Sequence, residues 1–301
     1  MIPLLPALSL LTGCSSGPAP ETLVDELRVL VLVPESPEIA PNETTGLDIV
    51  VADPLERGFD RLTWTCTRLG PECAEALLDP DSPWLRLEAE AGGAAGLSTG
   101  SVTASPALFE VASEDPLPLV QVFTLVCEPG LCDVLDAALA GVEPDSAAAE
   151  QLQADLTDPF SLLEDLPLEG VSLASWTVDV STRSPEDRRS HPSLGPCTLT
   201  DGDGGGEAAA ESVAPEGTLK ATCPVEGPFD ADAGLWGYGT AGGWGADRDT
   251  FGADATEVEG YTWFAPKAKD APEAPVDLWL VLTDGLGGLA WQSFEVTVSA
   301  D

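Results

Sequence analysis

The chain has 301 residues, 52 of them acidic against 12 basic, and a formal net charge of −40. Because phosphate binding needs Lys and Arg to displace counterions, this balance excludes a nucleic-acid partner; it favours cations and basic proteins over anionic membrane surfaces. The length and the 44% hydrophobic content suit one large or two ordinary domains, and two is the expectation.

Met1 to Leu11 is almost wholly apolar, and the run closes on Leu11-Thr12-Gly13-Cys14. At roughly half the ~20 residues that a bilayer span takes, it is too short for a transmembrane helix. The tetrad resembles the lipobox of bacterial lipoproteins. That resemblance implies that residues 1–13 are a signal peptide and that Cys14 becomes the lipid-bearing first residue of the mature protein. Residues 14–26, opening with Ser15-Ser16-Gly17-Pro18-Ala19-Pro20, would then be a tether. The location implied is the bacterial cell envelope at the outer membrane, with the membrane a partner through the N-terminal lipid. Disulfides persist there, and the six cysteines beyond Cys14 fall as neighbouring couples: Cys66 with Cys73, Cys127 with Cys132, and Cys197 with Cys223. Three local disulfides are expected. Zinc is the rival reading, but the spacings suit it poorly and the only histidine, His191, is distant from the first two couples.

Leu27 to Val33 is rich in β-branched and aliphatic residues, stops at Pro34 and predicts a strand. Leu47 to Val51, Leu62 to Cys66, Leu119 to Val126 and Val171 to Val180 predict four more, the last with Trp176, Val178 and Val180 on one face. Short strands between Pro, Gly and Asp turns point to an antiparallel sandwich over residues 27–180. Between 132 and 166 the composition turns to Ala, Glu, Gln and Leu. Three short helices are expected there, packed on the sandwich as an insertion because none is long enough to stand alone. Residues 181–195 lack an apolar period, contain Pro185 and Pro192, and read as a linker.

The second domain spans 196–301. Its clearest feature is a hairpin in which Val276 to Leu282 runs through Thr283-Asp284-Gly285-Leu286-Gly287-Gly288 and returns over Leu289 to Val298. Leu219 to Cys223 and Tyr261 to Phe264 predict two further strands. Leu62-Thr63-Trp64-Thr65 and Tyr261-Thr262-Trp263-Phe264 share a Thr-Trp pattern, which two related sandwiches in tandem would explain. Leu27 to Asp53, the two Thr-Trp strands and the closing hairpin resemble immunoglobulin-like domains, including the polycystic-kidney-disease type, of bacterial surface lipoproteins. The expected fold is therefore all-β, two tandem immunoglobulin-like β-sandwiches, the first with a small helical insertion. In that family the strand tryptophan packs between the sheets, so the resemblance makes Trp64 and Trp263 core residues.

Two segments are candidate sites. Asp201, Asp203 and Glu207 place three carboxylates on a Gly-rich loop, and calcium is the cation such oxygens would take. Gly234 to Trp244 sets Trp236, Tyr238 and Trp244 on a glycine-rich frame, the pattern of an aromatic contact loop for a partner. Catalysis finds little support, since a nucleophile needs a base beside it and His191 sits alone in the linker. The function expected is a lipid-anchored binding or scaffolding protein with an envelope protein or glycan as partner and no cofactor of its own. The alternative from another class is a calcium-dependent glycan-processing enzyme using paired carboxylates.

Overall fold

The computed structural model describes residues 23–66, 85–93, 96–104, 119–131, 170–202, 212–246 and 248–299. Among these the chain is almost wholly β. The first half carries β1 (Arg28–Pro34), β2 (Glu38–Ile39), β3 (Thr44–Ala52), β4 (Phe59–Cys66), β5 (Leu85–Gly93), β6 (Gly96–Thr103), β7 (Leu119–Cys127) and β8 (Val171–Val180). The second carries β9 (Ser193–Leu194), β10 (Thr198–Asp201), β11 (Ser212–Val213), β12 (Thr218–Glu226), β13 (Gly234–Gly239), β14 (Gly243–Trp244), β15 (Arg248–Thr250), β16 (Glu257–Phe264), β17 (Val276–Thr283) and β18 (Leu289–Val298). The expected helices over 132–166 lie outside the described residues, as do Cys14, Cys73, Cys132, Asp203 and Glu207.

One strand plan is used twice. In the first half β1-β3-β6 forms a sheet that packs on a second sheet ordered β2-β8-β7-β4-β5. In the second half β10-β12-β16 repeats the first of these and β11-β18-β17-β13-β15 the second, with β9 and β14 added to the β12 sheet. In each half the short second strand pairs in parallel with the last, β2 on β8 and β11 on β18, while the other ladders are antiparallel. This correspondence changes the pairing of the tryptophans. Trp64 lies on β4, whose counterpart is β13 with Trp236, whereas Trp263 lies on β16, the counterpart of β6.

Trp263 is fully buried in the second core, its indole N–H donating to the Ala241 carbonyl at 3.2 Å, as a core tryptophan should. Trp64 is not between sheets. It stands on the outer face of the β7 sheet, stacked on Phe123 with ring centroids 5.3 Å apart. The inner row of β4 is Phe59, Arg61, Thr63 and Thr65, all buried. Buried polar groups need partners, and two of this row find them: the Thr63 and Thr124 hydroxyls lie 3.1 Å apart, and the Arg61 guanidinium donates through Nη1 to Ser98 Oγ at 2.9 Å and through Nη2 to the Thr99 carbonyl at 3.2 Å on β6. A polar tie from Arg61 across to β6 thus stands on the face that an inward tryptophan would fill.

Cys197 and Cys223 form a disulfide that joins the approach to β10 to the middle of β12. Cys127 is also disulfide-bonded. The β4–β7 register sets Cys66 opposite Gln121 and Asp60 opposite Cys127. At about 3.4 Å per residue this separates Cys66 from Cys127 by roughly 20 Å along the ladder, far beyond the ~7 Å limit for a bridge.

Candidate functional site

β1, β3, β13 and β17 are apolar on both faces, and that property builds the most distinctive feature of the molecule. On β3, Leu47, Ile49 and Val51 enter the first core, while Val50 and Ala52 point the other way. On β17, Leu278, Leu280 and Leu282 enter the second core, while Trp279 and Val281 point out of it. β1 and β13 divide likewise, with a bulge between Val29 and Val31 turning Val31 and Val33 outward. The two outward faces meet. Val24, Val31, Val33, Val50 and Ala52 from the first half pack with Trp236, Tyr238, Trp279, Val281 and Leu289 from the second into one buried cluster. The halves are therefore joined face to face, the β3 sheet against the β17 sheet, giving four stacked layers. Burying side chains of this size contributes about 1.5–3 kcal/mol each, so the junction is a third core.

This overturns the aromatic-loop expectation. Trp236, Tyr238 and Trp244 are only 8%, 5% and 7% exposed and are unavailable to an outside partner. Residues 234–239 are a strand, with Trp236 and Tyr238 two apart on the junction face. The glycines serve packing. A Cβ at Gly237 would run into the Trp244 indole, which lies in the second core stacked on Tyr261 at 4.6 Å between centroids. A Cβ at Gly234 would strike the Arg248 side chain, whose guanidinium caps the Trp236 ring at 5.1 Å. Across the junction Arg28 lies 5.6 Å from the Tyr238 ring centre, and burial drives the Tyr238 phenol well above its ordinary pKa despite that neighbouring cation.

The segment before β1 and the connection after β8 seal the rim. The Val24 amide donates to the Gly239 carbonyl at 2.8 Å, so the first described residues already dock on the second half. Residues 181–192, read as a linker, form a strap with a single 3-10 turn at Pro185–Asp187. Glu38, buried on β2, takes the Ser181 hydroxyl, the Arg189 amide at 3.0 Å and Arg183 Nη1 at 3.4 Å. Burial alone would raise its carboxyl; these bonds and the Arg183 and Arg189 charges outweigh that and hold it below the usual range. Arg188 pairs with Glu43 at 2.5 Å. Arg189 bonds Asp179 of β8 at 2.6 Å and the Leu286 carbonyl in the β17–β18 turn, linking the halves. His191 links them again: Nε2 meets the Pro34 carbonyl at 2.6 Å, and Nδ1 accepts the Leu289 amide at 3.0 Å.

At one end of the junction the layers part into a cleft of about 570 Å³. Its walls are Val51 to Pro54 from the first half and Thr240, Asp277, Trp279, Ser293, Phe294 and Glu295 from the second. Asp277 and Glu295 are direct cross-strand partners. Burial, and then the Glu295 charge, raise the Asp277 carboxyl. Asp53 is buried, accepting the Gly58 amide at 2.7 Å and so closing the β3–β4 turn. Among the described residues no three His, Cys, Asp or Glu side chains are grouped to hold a metal ion. Of the three carboxylates expected to take calcium only Asp201 is described, at the exposed end of β10 opposite Leu219.

No family model and no curated protein matches the chain. Among solved structures it is similar to the D0-D1 domain of intimin, at 7% identity and a TM-score of 0.23 over 90% of this chain and 99% of that one. The two tandem V-type regions of a v-region-containing chitin-binding protein align at 11% identity and a TM-score of 0.31, over 91% and 100%. Red sea bream transglutaminase aligns at 10% and 0.25, over 92% of this chain but 32% of the enzyme. These superpositions are loose, and the architecture above rests on the sheets themselves.

Sequence reasoning missed the strap and the junction. Their signals were present. Strands buried on both faces lose the apolar-polar alternation, as in Arg28–Pro34 and Val276–Thr283, and three of the chain's 12 basic residues fall within Arg183 to Arg189.

Proposed function

We propose that the chain is a lipid-anchored binding or scaffolding protein of the bacterial cell envelope, built from two tandem immunoglobulin-like domains and without chemistry of its own. The observation that carries this reading is the apolar junction of Val31, Val33 and Val50 with Trp236, Trp279 and Val281. A core between two sandwiches makes them one body of fixed shape, which suits presenting a surface rather than closing on a substrate. The repeated strand plan, with its short second strand parallel to the last, supports the immunoglobulin-like description. The lipobox-like Leu11-Thr12-Gly13-Cys14 supports the anchor, and the tether expected over residues 14–26 would be shorter than that, ending where Val24 docks. The partner is an envelope protein or glycan, and the net charge of −40 favours one with basic groups.

Labelling cells with a fatty-acid analogue tests the anchor: the wild-type chain should take up label and move with the membrane fraction, and Cys14→Ser should do neither. Equal labelling of both, or of neither, would refute the lipid reading. Capture of envelope components on the soluble Cys14→Ser form then tests binding.

One observation favours a second reading, the glycan-processing enzyme: the cleft holds the Asp277–Glu295 pair. Glycosidases set two carboxyls about 5–9.5 Å apart on opposite sides of the scissile bond. Here the pair stands side by side on one wall, as cross-strand neighbours. Release of reducing sugar from envelope polysaccharide, abolished by Glu295→Gln, would establish the enzyme over the scaffold.

A further inference from the structure

His191 makes two bonds that only one form of its ring can make together. Nε2 faces a carbonyl, Pro34, and must carry the proton; Nδ1 faces an N–H, Leu289, and must lack it. The ring is therefore neutral with the proton on Nε2. Its two partners belong to different halves, Pro34 to the end of β1 and Leu289 to the start of β18, and Leu289 is itself part of the junction cluster. We propose that His191 is an acid-operated latch: neutral, it ties β1 to β18 across the junction, and protonated at Nδ1 it expels the Leu289 amide and loosens that rim.

The surroundings act on the ring in both directions. Burial opposes the charged form most strongly; the Pro34 carbonyl and the Asp284 carboxylate in the β17–β18 turn favour it, and Arg189 on the strap opposes it. Burial prevails, and the imidazole lies below its ordinary value of 6.5. The β1 end and the β18 start present an uncharged carbonyl and amide, so Asp284 and Arg189 are the charges that bear on it. Asp284 is already committed, its Oδ1 accepting the Leu286 and Gly288 amides at 2.7 Å each. A group depressed in the closed form binds its proton more readily when open. The tie is thus complete above pH 6.5 and is lost as the pH falls from there through the closed-state value.

The only histidine in the chain gives an unambiguous signal. With the full chain in detergent, imidazole NMR between pH 7.5 and 5 should show the Nε2–H form titrating below 6.5. Hydrogen exchange, corrected for its intrinsic pH dependence, should show the Leu289 amide losing protection in step. The loss should be about tenfold for each unit of depression, while β12 and β16 stay protected. In His191→Gln, which keeps a donor and an acceptor but cannot titrate, Leu289 protection should not change over this range. The latch is overturned if Leu289 stays protected while the ring titrates, or if His191→Gln shows the wild-type pH dependence. Should that variant fail to fold, the wild-type titration and exchange decide alone.

Discussion

Asp277 and Glu295 face each other across β17 and β18 as like charges, an arrangement that costs a sheet about 0.2–1 kcal/mol. Glu295→Gln should relieve it: chemical denaturation at pH 7 should show a gain of about that size, and the Asp277 titration should move down towards 3.8. A deeper effect is expected at Trp244. Were it on an exposed loop, its replacement would cost no more than about 0.5 kcal/mol. Buried against Tyr261 and above Gly237, it should cost about 3–5 kcal/mol as Trp244→Ala. Thermal melts of the two single variants would separate these effects by sign alone.

At the scale of strands, Gly237→Ala should be destabilising by about 1–3 kcal/mol, because the added methyl meets the Trp244 ring inside a packed core. Peptide mapping without reduction should recover Cys197 joined to Cys223 and no peptide joining Cys66 to Cys127. Much of this level was legible in the residues. Val171–Val180 and Leu289–Val298 match their expected bounds, and Arg28–Pro34, Thr44–Ala52 and Leu119–Cys127 differ by only a few residues, because β-branched runs between turn formers carry a strong local signal. Gly96–Thr103 and Gly234–Gly239 were missed, since glycine and serine weaken that signal and only tertiary contacts hold these segments extended. The facing of β4 was illegible for a related reason. Its Leu62 and Trp64 row looks like the core side, and only the partners of Arg61 and Thr63 on other strands decide that the polar row turns inward. Sites suffered most: a glycine that frees a loop and a glycine that admits an indole read alike.

For the molecule as a whole, half-buried acids among the described residues shape the response to pH. Asp48, Asp179, Asp249 and Asp277 all lie above their ordinary 3.8, with burial the leading cause in each. A raised carboxyl binds its proton better in the folded chain, so these four add stability as the pH falls through their folded values, completely so below 3.8. Glu38 and Glu43, held low, subtract only below 4.5. Denaturant midpoints of His191→Gln should therefore climb as the pH falls from 7 towards 4.5, the more so because protonation also relieves the self-repulsion of a −40 chain.

The face carrying Val31, Val33, Val50 and Ala52 has its cover on β13, β17 and β18, which begin only at Gly234, Val276 and Leu289. Chains are made from the N-terminus, and domains fold as they emerge. The first half can thus complete its own core while that sheet is still bare to solvent, presenting an apolar surface of the kind that drives aggregation. Synthesis itself imposes a waiting period, during which another copy can occupy the face before the proper cover arrives. A fragment of residues 23–195 should consequently self-associate in sedimentation experiments, and Val31→Thr with Val50→Thr should return it to monomer without disturbing the inner row of Leu47, Ile49 and Val51.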